Sequence, residues 1–164
     1  MTAASTVRLL RSPALSADLP YAHAATTDAP VRLVFTAGAC PLDEEGRTVA
    51  VGDLLGQAER VLVNLRAALR AGGADLEDVL VTTVYVASTS REDLAAVWQV
   101  VRRHFGAHDV PGTLLGVTVL GWPDQLVEVE AVAVARTVAA VASSEQRADQ
   151  VHDDPGQRAH PERA

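Results

Sequence analysis

The run Val79–Ala87, VLVTTVYVA, is rich in β-branched residues and has no polar side. Its two alternating sets are Val79, Val81, Thr83 and Tyr85 against Leu80, Thr82, Val84 and Val86. Both suit a pleated, buried surface. A strand like this needs cover on both faces of its sheet, and only two helices are patterned near it. In Asp53–Ala71, apolar residues fall at Leu54, Leu55, Ala58, Val61, Leu62, Leu65, Ala68 and Leu69, the ladder of one buried helical face. Asp53 is placed to cap its start, and Gly72-Gly73 supplies the stop. Ser90–Phe105 is the second helix. Ser90 caps it with Asp93 three residues on, Leu94, Val97, Val101 and Phe105 form its stripe, and Gly106 ends it. Two helices cover one sheet face, so the other is left for a second copy of the chain.

Further strands are expected at Val7–Leu10, at Val31–Thr36 ahead of Gly38, at Thr113–Leu120 and at Leu126–Ala135. The last two are joined by the turn Gly121–Gln125, GWPDQ. The segment Ala39–Arg47 carries turn residues in Pro41, Asp43 and Gly46. The order of strands, helix, strand, helix and two strands predicts a two-layer α+β domain, with both helices on one face of a single sheet. That domain takes up residues 1–142. From 143 to 164 the chain is polar, aromatic-free and rich in charge, and too poor in apolar surface to offset its ordering entropy, so it reads as a disordered tail.

Composition narrows the chemistry. The net charge of −7 argues against nucleic acid and against anionic membrane surfaces as partners. No apolar run reaches the roughly 20 residues of a membrane span, and no secretory signal pattern is visible at the N-terminus. The lone cysteine, Cys40, cannot form an internal disulfide, which points to a reducing cytoplasmic setting. Every basic side chain except histidine is arginine, so Schiff-base catalysis by a lysine amine is excluded.

Several stretches together resemble the Rid (YjgF) family: Pro20-Tyr21, Val34–Asp43 (VFTAGACPLD), Gln57–Val86, and Pro111 followed by Leu126–Val134 (LVEVEAVAV). The combination of Gln57, Asn64-Leu65 and Gly73 with the Val-Glu-Val-Glu-Ala strand carries the likeness, which runs from about Tyr21 to Arg136. The resemblance implies a chorismate-mutase-like α+β fold, a homotrimer, and small-molecule clefts between subunits. It further implies hydrolysis of reactive enamines and imines, such as 2-aminoacrylate, with no metal and no cofactor. In such deaminases an arginine after the proline grips the substrate carboxylate. Here Pro111 is followed by Gly112-Thr113-Leu114, so Thr113, or Gly112 if the alignment carries a gap, stands in its place without charge. The family's Ser-Gly-Gln is Ala37-Gly38-Ala39. What the resemblance leaves as site residues are Glu128 as catalytic carboxylate, with Tyr21, Gly38, Cys40 and Thr113 as substrate contacts. The substrate is then a non-standard enamine or imine; the alternative is a non-catalytic trimeric protein that binds a small molecule in the same cleft.

The residues themselves leave choices open. Glu128 and Glu130 lie two apart on a predicted strand, facing one side together with Leu126, Val132 and Val134. Glu128 either positions and deprotonates water in the cleft, or both glutamates are exposed or paired with arginine across an interface. The resemblance favours the first role for Glu128 and leaves Glu130 structural. Cys40 is a nucleophile or a small buried hydrophobe, with no histidine near it in sequence. His104 and His108 have a helical metal spacing, but Gly106 intervenes and no third ligand is patterned, so no metal site is expected. His23 sits beside Tyr21 at the cleft or in a solvated loop, and Trp122 is exposed in its turn or covers the cleft mouth.

Overall fold

The computed structural model describes residues 6–16, 21–28 and 30–136. The tail over 143–164 lies outside the described residues. Within them, β1 (Val7–Leu10) pairs antiparallel with β2 (Ala24–Thr27) as a separate ribbon. There follow β3 (Leu33–Phe35), α1 (Leu54–Ala71), a single 3₁₀ turn (Leu76–Asp78), β4 (Val79–Val86), α2 (Arg91–Phe105), β5 (Gly112–Gly116) and β6 (Val127–Val134). The last four strands form a mixed sheet in the order β3-β6-β4-β5, with β4 and β5 parallel and the other pairs antiparallel. Both helices pack on one face of it, giving the two-layer α+β domain. No described helix is long and apolar enough to cross a membrane.

β5 and β6 are not hairpin neighbours, contrary to the expectation from the turn between them. The helix α2 carries the chain back over the sheet, so β5 lies parallel beside β4, as a crossover requires. β6 then takes the opposite edge of β4 and slots between it and β3. β5 also stops at Gly116, four residues short of the expected end.

α1 begins where Asp53 accepts the Gly56 N–H at 3.0 Å. It ends as the Gly72 N–H turns back to Ala68 and Leu69, with Gly73 at φ +84°. Ala58, Val61, Leu62, Leu65 and Leu69 are fully buried. Leu55 is 44% exposed and Ala68 also faces out; the buried Gln57 fills part of the stripe instead. In α2 the Ser90 hydroxyl accepts the Asp93 N–H. Asp93 does not reach back to Ser90 directly: its carboxylate takes the Ser88 hydroxyl at 2.6 Å, and Ser88 accepts the Ser90 N–H.

The core lies between α1, α2 and one sheet face, made by Val127, Val129, Ala131 and Ala133 of β6 with Val84 and Val86 of β4. A register shift between Val79 and Val81 breaks the alternation in β4. The extra residue of such a bulge reverses which side later residues face. Val79 is therefore buried with Val84 and Val86, and not grouped with Val81, Thr83 and Tyr85 as strict alternation predicts. The opposite face remains open in one chain. It carries Phe35, 72% exposed, Val81, 41% exposed, Leu115, Tyr85, Glu128, Glu130 and Val132.

Candidate active site

Period-two alternation puts Glu128 on the open face, opposite Tyr85 of β4. After β3 the chain continues alongside β6: Ala39 N–H donates to the Val129 carbonyl at 2.8 Å, and Val129 N–H returns to Ala39 at 3.2 Å. This bridge presses Gly38 against the Glu128 carboxylate. A Cβ at position 38 would sit 1.9 Å from Glu128 Oε1, so a side chain there and this carboxylate posture exclude each other.

The other carboxylate oxygen, Oε2, has two donors. Gln125 Nε2 lies 2.9 Å away and Cys40 Sγ 3.5 Å. Among the described residues no donor reaches Oε1. Burial pushes the Cys40 thiol above its ordinary value, and the negative charge of Glu128 pushes it further the same way. Cys40 therefore stays protonated at neutral pH and acts as a hydrogen-bond donor, which weighs against the nucleophile reading.

Two amides of α1 hold the loops that carry these groups. Asn64 Nδ2 donates to the carbonyls of Cys40 and Leu42 at 2.8 and 3.0 Å. Gln57 Nε2 donates to the Asp124 carbonyl at 2.8 Å, while its Oε1 accepts the Leu126 N–H at 2.7 Å. Asp124 takes a left-handed backbone, φ +57°. The sequence marks Gln57 and Asn64 only as parts of a motif, and it does not single out Gln125 at all. The available signal is two carboxamides spaced two turns apart, interrupting an apolar stripe: buried amides must find polar partners.

A depression beside this cluster is lined by Gly38, Cys40, Leu42, Arg60, Asn64 and Trp122. Trp122 is 49% exposed at its rim. Tyr21 is elsewhere. Its ring stands edge-on to Trp98 at 6.5 Å, in a second depression shared with Arg91, Gly112 and Leu114. One chain thus brings Glu128, Gly38 and Cys40 together but leaves Tyr21 apart from them.

The two candidates for the arginine position fall on opposite sides of β5. Gly112 pairs with the buried Thr82, and a Cβ there would meet the Trp98 ring at 2.8 Å. Thr113 pairs with Thr83, which in turn pairs with Glu130, so Thr113 shares the open face with the glutamates. Glu130 accepts the Tyr85 hydroxyl at 2.9 Å, a bond that holds the Tyr85 proton and raises its ionisation above the usual phenol value. His23 holds Ser12 and Ser16, with Nδ1 accepting the Ser12 N–H at 2.7 Å and Nε2 facing the Ser16 carbonyl. His104 Nε2 meets Glu59 at 2.6 Å and His108 Nε2 meets the Val79 carbonyl at 2.8 Å, so the two imidazoles serve different partners.

Comparison with known proteins supports a family assignment. The family model described as Endoribonuclease L-PSP matches residues 12–135. Protein DfrA of Myxococcus xanthus is 36% identical over 116 residues, covering 70% of this chain and 85% of that protein. The 3-aminoacrylate deaminase RutC of Acinetobacter baylyi is 31% identical over 114 residues, covering 70% and 86%. Among solved structures, the Yersinia pestis protein YyfB, described as a Rid family protein of unknown function, superposes with a TM-score of 0.71. It shares 31% identity and covers 79% of this chain and 98% of its own. With fold, motifs and relatives in agreement, the chain belongs to the Rid family.

Proposed function

We propose that this protein is a hydrolytic deaminase of a small, reactive enamine or imine, working in a cleft completed by a neighbouring subunit. The observation that carries the reading is the posture of Glu128: Oε2 is tethered by Gln125 and Cys40, while Oε1, packed against Gly38, takes no donor among the described residues. A carboxylate so held is suited to accept a proton from water as it attacks the carbon of a C=N bond. The proton returns to nitrogen, the C–N bond of the resulting carbinolamine breaks, and a carbonyl compound and ammonia leave. An enamine first tautomerises to the imine. The sum is imine plus water giving carbonyl plus ammonia, with no change of oxidation state.

The relative named a 3-aminoacrylate deaminase supports this reaction class. The net charge of −7 weighs against the ribonuclease activity that the family description names. Thr113 occupies the open face where a cation would be needed, so the favoured substrate lacks the usual carboxylate or has it held by another group. Without that charge-assisted bond about 1.5–3 kcal/mol of binding is lost. Turnover of 2-aminoacrylate-type imino acids is accordingly expected to be weak beside that of an arginine-containing relative. The uncharged residues Ala37, Ala39 and Thr113 also favour the second reading, a trimeric binding protein that uses the same cleft.

Ammonia release from a panel of imino acids and neutral enamines decides between them. On the best substrate Glu128→Gln should lower activity by roughly two to four powers of ten while leaving the protein folded, and Glu130→Gln should be mild. An unimpaired Glu128→Gln enzyme contradicts the proposal. Saturable binding of panel compounds without ammonia release selects the binding protein.

A further inference from the structure

We infer that Gln125 is the positioning residue that fixes Glu128 for catalysis, an inference resting on the deaminase reading above. Gln125 is 5% exposed, and both ends of its carboxamide are engaged. Its Oε1 accepts the Trp122 N–H at 3.0 Å, and its Nε2 donates to the Val127 carbonyl at 3.2 Å and to Glu128 Oε2 at 2.9 Å. The backbone decides which way the amide points. A main-chain N–H can only donate and a main-chain carbonyl can only accept, so the oxygen must face Trp122 and the nitrogen must face Val127. The remaining amide hydrogen is then aimed at Glu128 before any ligand arrives.

The loop that presents Gln125 is itself anchored on both sides. Gln57, buried in α1, holds the Asp124 carbonyl and the Leu126 N–H, the residues immediately before and after Gln125. Two buried carboxamides therefore act in series: Gln57 fixes the loop, and Gln125 fixes the carboxylate. The consequence is chemical. Oε2 already accepts from Gln125 and Cys40, which lowers its basicity, so Oε1, the oxygen against Gly38 with no donor among the described residues, becomes the working base. The thiol of Cys40 reaches the same Oε2 at 3.5 Å, a weaker contact that assists without setting the direction.

The test is kinetic and uses the full chain with whichever panel compound releases ammonia fastest. Gln125→Met keeps length and volume but removes the donor. It should lower kcat by about 10²-fold, the scale of a misplacement near 1 Å, with KM within about twofold. Because Gln125 acts through Glu128, the double variant Gln125→Met/Glu128→Gln should be no slower than Glu128→Gln alone. Wild-type kcat in Gln125→Met, or a double variant slowed by the product of the two single effects, overturns the inference. If Glu128→Gln is itself unimpaired, the deaminase reading fails and takes this one with it; if Glu128→Gln is impaired and Gln125→Met is not, only this one fails. A second measurement does not depend on the Gln125 variant folding. The side-chain amide protons of Gln125, followed by NMR in the ligand-free protein, should shift when Glu128 is replaced in Glu128→Ala. Resonances that stay in place overturn the inference whatever the activity.

Discussion

The reason position 38 must be glycine is the Glu128 carboxylate, which period-two alternation sends to the open face of β6 and which packs against the Gly38 Cα. That reason makes a prediction. Gly38→Ala must displace either Glu128 or the bridge between Ala39 and Val129, since its Cβ would fall 1.9 Å from Oε1. Activity should fall by about 10²-fold or more, as for other misplaced catalytic groups, with the fold retained by circular dichroism; activity within twofold of wild type would show that Glu128 has room to move unharmed. Of these residues, Glu128 can be read from the sequence by strand alternation and Gly38 only through the family likeness, while Gln125 cannot be read at all. It lies in a Gly-Trp-Pro-Asp-Gln turn whose composition signals surface, and its burial comes from Gln57, 68 positions earlier in the chain, holding the residues on either side of it.

At the scale of elements, both helices and their caps can be read from apolar spacing, because each cap is a local event. The order of the strands cannot. Which edge of β4 receives β6 depends on α2 returning β5 to the other edge, a choice made by packing and not by the turn between β5 and β6. The β4 bulge is equally hidden, since a run apolar on both sides gives alternation nothing to violate. The junction after α1 depends on charge. Burial alone would raise the Asp75 carboxyl, but hydrogen bonds from Arg66, the Leu76 N–H and Arg70 outweigh it and bring its pKa to about 2, from an ordinary 3.8. A folded value below the unfolded one stabilises the native state above pH 3.8, and that contribution fades as the pH falls toward 2. Asp75→Asn, which keeps the cap to Leu76, should therefore cost about 2 kcal/mol at pH 7. In denaturant titrations at fixed protein concentration its deficit should shrink steadily below pH 4; a deficit that is independent of pH would mean the aspartate acts by shape alone.

The whole molecule presents an unfinished surface. Phe35, Val81 and Leu115 stand exposed on the sheet face opposite the helices, and no element of the described chain covers them. Closed association of identical subunits is the economical cover, and the likeness to the Rid family implies that this closure is a homotrimer. Light scattering at micromolar concentration should give three times the chain mass, and a monomer mass would remove the interface on which the proposed cleft depends. In one chain Glu128, Gly38 and Cys40 lie in one place and Tyr21 beside Trp98 in another, a separation that the proposed cleft between subunits accounts for. If the cleft is shared, Tyr21 of one subunit works with Glu128 of the next. The most direct measurement is activity of mixed trimers from co-expressed Tyr21→Ala and Glu128→Gln chains, each expected to be nearly inactive alone. A closed ring of randomly mixed subunits restores about one quarter of the clefts with both native residues, and about one quarter of wild-type activity is the predicted result. Mixed trimers no more active than either parent would contradict a cleft built between subunits.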